Sequence, residues 1–439
     1  MRTPISDFLK QYADSGLVRL HMPGHKGCGD VERYDITEVS GADSLYEASG
    51  IIRESEGIAS EIFGADTFYS TEGSSLSIRA MLYLAVSTSA DPEPCILAGR
   101  NAHKAFVSAA ALLGFRVEWI GGDDSYLSVS ITGEELRRRF DGMERLPVAL
   151  YITSPDYLGC TSDIAELAEV CHERGVLLLV DNAHGAYLKF LEPSRHPIDL
   201  GADMCTDSAH KTLPALTGGA YLHIRRGACR DFALRAKSAM ALFGSTSPSY
   251  LILASLDRLN PYLAGDFKEE LSIYVDKIAG IKTALSSYGY RIIGDEPMKI
   301  TVAPAPLGYR GTEIADALRL GGVEAEFSDP DYVVLMPSPR GGDEALERAC
   351  KILLSISARA PRTECAPRLS IPEQVISPRE AMLRPQQTVP ASESLGRVLG
   401  TVTVGCPPAV PIIVSGERID EACLAAFEYY GVDTVSVIK

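Results

Sequence analysis

The stretch PVALYITSPDYLGCTSDIAELAEVCHERGVLLLVD, residues 147–181, decides how the rest of the chain is read. Two short apolar runs, PVALYIT and VLLLVD, flank DIAELAEVCHERG, whose apolar residues recur at helical spacing. Ser162 or Asp163 stands where a helix N-cap belongs, Gly175 stands where a C-cap belongs, and Val180 closes the second run. Runs this short and this apolar bury both faces of a strand, as parallel sheets covered by helices require. The stretch therefore reads as strand, helix, strand. In such sheets ligands gather beyond the carboxyl ends of the strands, where Thr153, Ser154, Asp181 and His184 emerge.

The same alternation extends outward. CILAG precedes HKAFVSAAALLGF, FRVEWI precedes GEELRRRFDGM, EGIASEIFG has helical spacing, and YLHI reads as one more strand. Between Ile58 and Gly244 this predicts a large α/β domain with a mostly parallel sheet. From Asn260 the texture changes: DFKEELSIYVDKIAGIKTALSSYG, GTEIADALRLGG and EALERACKILLSI alternate with strand candidates MKITVAPA and DYVVLMPS, as in a smaller α+β domain. Residues 359–375, RAPRTECAPRLSIPEQV, read as a connector. The expected organisation is an N-terminal segment 1–40, a large domain 41–258, a small domain 259–358 and a C-terminal subdomain 376–439.

Composition narrows the function. A chain of 439 residues, 46% hydrophobic and 23% charged, is neither disordered nor fibrous. Fifty-eight acidic against forty-two basic side chains give a net charge of −16, which argues against a nucleic-acid partner. The ten cysteines (28, 95, 160, 171, 205, 229, 350, 365, 406, 423) form no CxxC pair, so neither a disulfide framework nor a metal site is expected. The start, MRTPISDFLKQYADSG, has no apolar signal region, and no run of about 18 apolar residues occurs. A cytoplasmic protein that meets no membrane is the expectation.

Two windows carry chemistry. In TDSAHKTLPALTGGAYLH (206–223) Lys211 lies on a turn between Ser208, His210 and the breakers Pro214, Gly218 and Gly219. A lysine that forms a Schiff base needs such room; the plain alternative is a surface lysine. In VLLLVDNAHGAYL (176–188) Asp181 ends an apolar run, where a carboxylate needs a partner, either a turn amide or a cationic ligand atom. TEGSSLSIRAMLYLAV (71–86) sets Gly73, Ser74 and Ser75 at a helix start, which suits a phosphate or an ordinary N-cap.

Taken in order, these windows resemble the fold type I pyridoxal-phosphate enzymes, and specifically the short bacterial form of the ornithine/lysine/arginine decarboxylase group. HMPGHKG (21–27), residues 35–66, RNAHKAF (100–106), YITSPDYLG (151–159), DNAHGAY (181–187), SAHKTLPALTGGAYLH (208–223), STSPSYLILASLD (245–257) and CPPAVPIIVSGE (406–417) look like that group's segments. The resemblance implies an aspartate aminotransferase-like large domain and pyridoxal 5'-phosphate as cofactor. It makes Lys211 the lysine that joins the cofactor, Asp181 the partner of the pyridine nitrogen and His103 a stacking residue. Gly73, Ser74, Ser75, Ser208 and His210 surround the phosphate, His184 lies beside the ring, and Ser245 and Thr246 reach the phosphate of a neighbouring protomer, so a homodimer with shared sites is implied. On residue type alone His103 also suits a helix N-terminus and His184 a backbone bridge, while His21 and His25 either line the entrance or belong to a loop.

The implied activity is decarboxylation of arginine, lysine or ornithine in polyamine biosynthesis. Another carbanion reaction, such as transamination or Cβ elimination, and a silent regulatory homologue are the alternatives. Without the receiver-like N-terminal domain of the acid-induced members, a housekeeping role and no large ring assembly are expected. The chain departs from the group's pattern at Asn182, where glutamate is usual, at Glu72 for asparagine, at Gly218 for glutamine and at Asp156 for threonine or asparagine. Glu72 brings negative charge to the phosphate cup, and it and Asp156 are the candidate acids for the substrate's distal group.

Overall fold

A computed structural model of the protein describes residues 1–121, 128–228, 231–406 and 410–439. Cys229, and Pro407 to Ala409 of the C-terminal motif, lie outside the described residues. The chain forms two compact units, each built from two stretches: 1–89 with 164–271, and 90–163 with 272–439.

Helices α1 (Pro4–Asp14) and α2 (Ile51–Phe63) lead into β1 (Ala65–Ser70) and α3 (Gly73–Val86). Then come β2 (Cys95–Gly99), α4 (Lys104–Leu113), β3 (Arg116–Ile120), α5 (Gly133–Asp141) and β4 (Ala149–Thr153). The chain continues through α6 (Ile164–Glu173), β5 (Leu177–Asp181), β6 (Met204–Asp207), α7 (Ala209–Thr212), β7 (Ala220–Arg225), α8 (Phe232–Ala241) and α9 (Tyr250–Ala264). β1 to β7 with helices packed against them give the α/β architecture of fold type I, with β1, β5, β6 and β7 in the first unit and β2, β3 and β4 in the second. β2 is buried throughout, and β4 and β5 nearly so, which is why their sequences are near-continuous apolar runs rather than alternating ones.

In the first unit β5 and β6 are parallel, while β6 with β7 and β7 with β1 are antiparallel. Register sets Asp181 opposite Thr206, and aligns Thr67, His223 and Cys205 in one row across β1, β7 and β6. Asp257 of α9 ties the helices together, accepting from the Ser6 amide (2.9 Å) and the Ser55 hydroxyl (2.6 Å).

In the second unit β2 pairs in parallel with β3 and β4. The chain goes on through α10 (Phe267–Tyr288), β8 (Arg291–Ile293), β9 (Ile300–Ala303), α11 (Gly311–Leu320), β10 (Phe327–Ser328), β11 (Val333–Leu335) and α12 (Gly342–Ser355). β8 to β11 form an antiparallel sheet. After the connector come α13 (Pro378–Leu383), β12 (Gln386–Pro390), β13 (Thr403–Cys406), β14 (Val410–Val414), α14 (Glu421–Tyr430) and β15 (Thr434–Ile438), with Leu399, Ile413, Phe427 and Val437 in their core. The buried Arg100 guanidinium grips the buried Glu417 carboxylate through two 2.7 Å bonds, joining two sequence motifs more than three hundred positions apart. Among the described residues no helix is long and apolar enough to cross a membrane.

Candidate active site

Because β5 and β6 are parallel neighbours in register, their carboxyl ends deliver two turns side by side, residues 181–185 and 207–212. Asp181 is the last residue of β5 and is buried, and its Oδ1 accepts the Ala183 amide at 3.2 Å. The Asn182 amide donates to Thr206 O (3.0 Å), and Asn182 O accepts the Gly185 amide (2.8 Å). Only glycine fits at 185, since a Cβ there would stand 2.0 Å from Asn182 Oδ1. This turn presents His184, also buried, with Nε2 3.1 Å from Lys211 Nζ. An ammonium offers only hydrogens, so His184 Nε2 accepts.

The second turn is held by its own backbone. Lys211 N donates to Ser208 O (3.0 Å) and Leu213 N to Ala209 O (2.7 Å), while Gly219 O accepts from both His210 N (3.1 Å) and His210 Nδ1 (2.9 Å). Burial, reinforced by the Lys211 charge, pushes the His210 pKa down against the pull of the Gly219 carbonyl, so this imidazole is held neutral. Ser208 Oγ donates to Ser74 Oγ at 2.8 Å, which brings the start of α3 against the Lys211 turn. Ser75 follows on that first helical turn, where amides have no helical acceptor.

Gly73 is engaged differently: its amide donates to Gly218 O at 2.8 Å. Gly218 has φ +97°, and a Cβ on it would meet Thr71 O at 2.8 Å. The departure from the group's glutamine therefore belongs to this backbone, which admits no side chain there. Glu72 is exposed and its Oε1 accepts the Ser245 amide at 2.5 Å, so the carboxylate is turned to the loop before α9. Ser245 and Thr246 are both exposed on that loop. His103 belongs to the other unit, where it caps α4 with Nδ1 accepting the Ala105 amide at 3.2 Å. Asp156, also in that unit, is buried and accepts the Cys160 amide at 2.8 Å, so its carboxylate serves its own loop. His21 pairs with Tyr12 (2.6 Å) and His25 with Asp35 (3.1 Å), so both brace the N-terminal segment.

One cluster went unread in the sequence. Asp207, fully buried at the end of β6, accepts from Asn182 Nδ2 on Oδ1 (2.6 Å) and from His196 Nε2 and His223 Nε2 on Oδ2 (3.1 Å each). Burial alone would raise its pKa, but the two imidazoles hold the carboxyl far below the usual range. The three ligand-type atoms lie within 4.8 Å of one another, yet three hydrogen-bond donors already complete the carboxylate without a cation. The signal for it was His223, a histidine inside the apolar strand AYLHIR.

Comparisons with known proteins show the family. Residues 3–290 match the family model described as Orn/Lys/Arg decarboxylase, major domain. An arginine decarboxylase of Halalkalibacterium halodurans is 30% identical over 97% of this chain and 92% of its own. The uncharacterized protein YaaO of Bacillus subtilis is 31% identical over 95% and 92%. The E. coli constitutive lysine decarboxylase superposes with a TM-score of 0.77 at 18% identity, covering all of this chain and 82% of that one, which speaks to the fold. A family match that takes in both turns and the start of α3, with relatives aligned along nearly the whole length, means that the chain belongs to the Orn/Lys/Arg decarboxylases, a family of pyridoxal-phosphate-dependent lyases.

Proposed function

We propose that the chain converts a basic amino acid, arginine, lysine or ornithine, to its amine and carbon dioxide, with pyridoxal 5'-phosphate as cofactor. The donor set suits that cofactor at three points. Lys211 offers an amine for the aldehyde carbon, Asp181 a buried carboxylate for a protonated pyridine nitrogen, and Ser74, Ser75, Ser208 and His210 a polar cup for phosphate. His103 is assigned to stack on the ring. Residues 41–258 are assigned as the cofactor-binding domain, with 259–358 and 376–439 as smaller domains.

What the bound cofactor supplies is a ring that takes up the electron pair left on Cα as carbon dioxide departs. Asp181 keeps the proton on the pyridine nitrogen, an interaction that strengthens as negative charge builds and so lowers the barrier. Lys211 Nζ and His184 Nε2, 3.1 Å apart, would hold between them the proton that Cα takes up once carbon dioxide has left. That contact, made by two turns from neighbouring strands, is the observation that carries the reading.

The arginine decarboxylases among the relatives make arginine the first substrate to test. Production of polyamine precursors, a cytoplasmic location and a homodimer with shared sites belong to the same proposal. The purified chain, supplied with pyridoxal phosphate, is to be incubated with arginine, lysine and ornithine in turn while carbon dioxide and amine are measured. Release of carbon dioxide with one of them is expected. A cofactor-bound chain that yields only keto acid or Cβ-elimination products would favour the other carbanion chemistries, and one that binds no cofactor would point to a silent homologue.

A further inference from the structure

Asn182 and Asp207 are not part of the set that touches the proposed cofactor, yet they sit between its members in the chain. Asn182 follows Asp181 directly, and Asp207 directly precedes Ser208 and the turn that carries Lys211. The 2.6 Å bond from Asn182 Nδ2 to Asp207 Oδ1 therefore fastens the end that would hold the pyridine nitrogen to the end that would hold the aldehyde and the phosphate. Both residues are fully buried.

The rest of the surroundings fix Asp207 itself. A carboxylate can only accept, so His196 and His223 both donate Nε2–H to Oδ2, and Thr67 Oγ1 donates to His223 Nδ1 at 2.9 Å. The row of Thr67, His223 and Cys205 across three strands sets the height of this group against the sheet. Phe63 closes it off, its ring centroid 4.5 Å from that of His223 and 5.8 Å from that of His196. Gly185 leaves the space that the Asn182 side chain needs.

We propose that Asn182 and Asp207 are a positioning pair, which sets the spacing between Asp181 and the Ser208 to Lys211 turn and so fixes the cofactor at both ends. This rests on the reading of the site as a pyridoxal-phosphate site. Losing the pair leaves the two turns joined by the bond from the Asn182 amide to Thr206 O but no longer braced through their side chains, and a misplacement of about 1 Å costs on the order of 100-fold in a site of this kind.

The test uses the full chain freed of cofactor and titrated with pyridoxal phosphate, with three readouts: the dissociation constant, the pH at which the bound cofactor's visible absorbance changes, and the melting temperature. Asn182→Ala removes the donor but keeps both imidazole bonds to Asp207, so it is the variant expected to fold. It should weaken cofactor binding about 10-fold or more and move the absorbance midpoint, because Asp181 no longer sits squarely on the ring nitrogen. Asn182→Asp should be worse, with two carboxylates facing each other, and the swap Asn182→Asp with Asp207→Asn should recover most of that loss by restoring an acid and an amide across the same bond. An Asn182→Ala chain with a lowered melting temperature but an unchanged dissociation constant and absorbance midpoint would reduce the pair to scaffolding and overturn the inference. A swap no better than Asn182→Asp alone would do the same. If the unaltered chain itself takes up no pyridoxal phosphate, the reading of the site fails along with the inference, whereas normal uptake by chain and variants alike sinks the positioning role only.

Discussion

Lys211 Nζ and His184 Nε2 stand 3.1 Å apart, one on the turn after β6 and the other on the turn after β5. Neither strand alone makes the pair: the parallel register that sets Asp181 opposite Thr206 brings the two turns together. A pair so placed can hold and pass a proton, and its members are separable by mutation. Lys211→Ala should abolish turnover together with the visible absorbance of bound cofactor, and Lys211 is exposed, so the fold should survive. His184→Ala should keep the absorbance and lose about 100- to 10,000-fold in turnover if the imidazole moves the proton. Absorbance spectra and steady-state rates on the same preparations decide both. A Lys211→Ala chain that keeps band and product would remove Lys211 from its role.

Asp181→Asn separates holding the cofactor from using it. The phosphate cup supplies most of the binding, whereas the carboxylate acts on charge that develops during the reaction. Loss of a charge-assisted hydrogen bond in a buried site costs roughly 2 to 4 kcal/mol, or about 30- to 1,000-fold in rate. Turnover should fall by that amount while cofactor occupancy falls far less. A rate within a factor of two of the unaltered chain would leave Asp181 as no more than the cap on the Ala183 amide.

Gly218→Gln places the residue common in related chains on a backbone that refuses it. With φ at +97° and Thr71 O at 2.8 Å from the new Cβ, the loop has to move, and the bond from the Gly73 amide to Gly218 O moves with it. Stability should drop by about 1 to 3 kcal/mol, read by chemical denaturation, with weaker binding of pyridoxal phosphate through the displaced start of α3. An unchanged denaturation midpoint would mean that the loop adjusts freely.

Two imidazoles should cost the chain stability in mild acid, while Asp329, whose carboxyl burial pushes up to about 7, adds to it in the same window. Burial lowers the pKa of His223 despite Asp207 beside it, and burial with the Lys211 charge lowers that of His210. In the unfolded chain these imidazoles take up protons near pH 6.5, whereas the folded chain resists until a lower pH. Protons therefore favour unfolding in that window: stability is full above about pH 6.5 and is lost as the pH falls toward the folded values. Asp207, also depressed, adds to the loss only below about pH 4, where an unfolded aspartate begins to protonate. Melting temperatures from pH 8 to 5 isolate the imidazole by difference: His223→Gln, whose amide can still donate to Asp207, should lose less stability on acidification than the unaltered chain. Profiles of identical slope for the His223→Gln variant and the unaltered chain would contradict the lowered pKa of His223.

Much of the site was legible because its parts sit at the ends of unmistakable strands. VLLLVD could only be a buried strand, so Asp181 had to emerge at its carboxyl end, and the breakers around Lys211 marked a turn. β6 was harder to read: MCTD is short and polar in composition, yet buried, since its threonine and aspartate are satisfied by Tyr221 O and by the imidazole cluster. Periodicity cannot reveal a polar residue whose partners come from distant segments. The helix α1 was legible in part, since Pro4 opens it and Ile5 and Leu9 share its buried face, but the bond from the Ser6 amide to Asp257, some 250 positions away, was not. Gly218 shows the converse case, in which a departure from the family pattern becomes intelligible only once φ is known.

The last prediction concerns assembly. Ser245 and Thr246 are exposed on the loop before α9, with the Ser245 amide held by Glu72 of the same chain and the Ser245 hydroxyl accepting the Ser247 amide at 3.1 Å, so the loop has a fixed base. The loop is followed by Ser249, whose hydroxyl caps α9 by accepting the Ile252 amide, and by Tyr250 and Leu253, both fully buried, which root the helix in its own chain. Such a loop is suited to reaching a neighbouring protomer's phosphate, and if it does, each site draws Lys211 from one chain and Ser245 and Thr246 from the other. Mixing Lys211→Ala with a Ser245→Arg/Thr246→Arg double variant tests this directly. Each parent should be inactive, while mixed dimers hold one site with both lesions and one with neither, so random exchange should restore up to about a quarter of the unaltered activity. No recovery, after subunit exchange has been demonstrated with tagged chains, would place Ser245 and Thr246 outside any shared site.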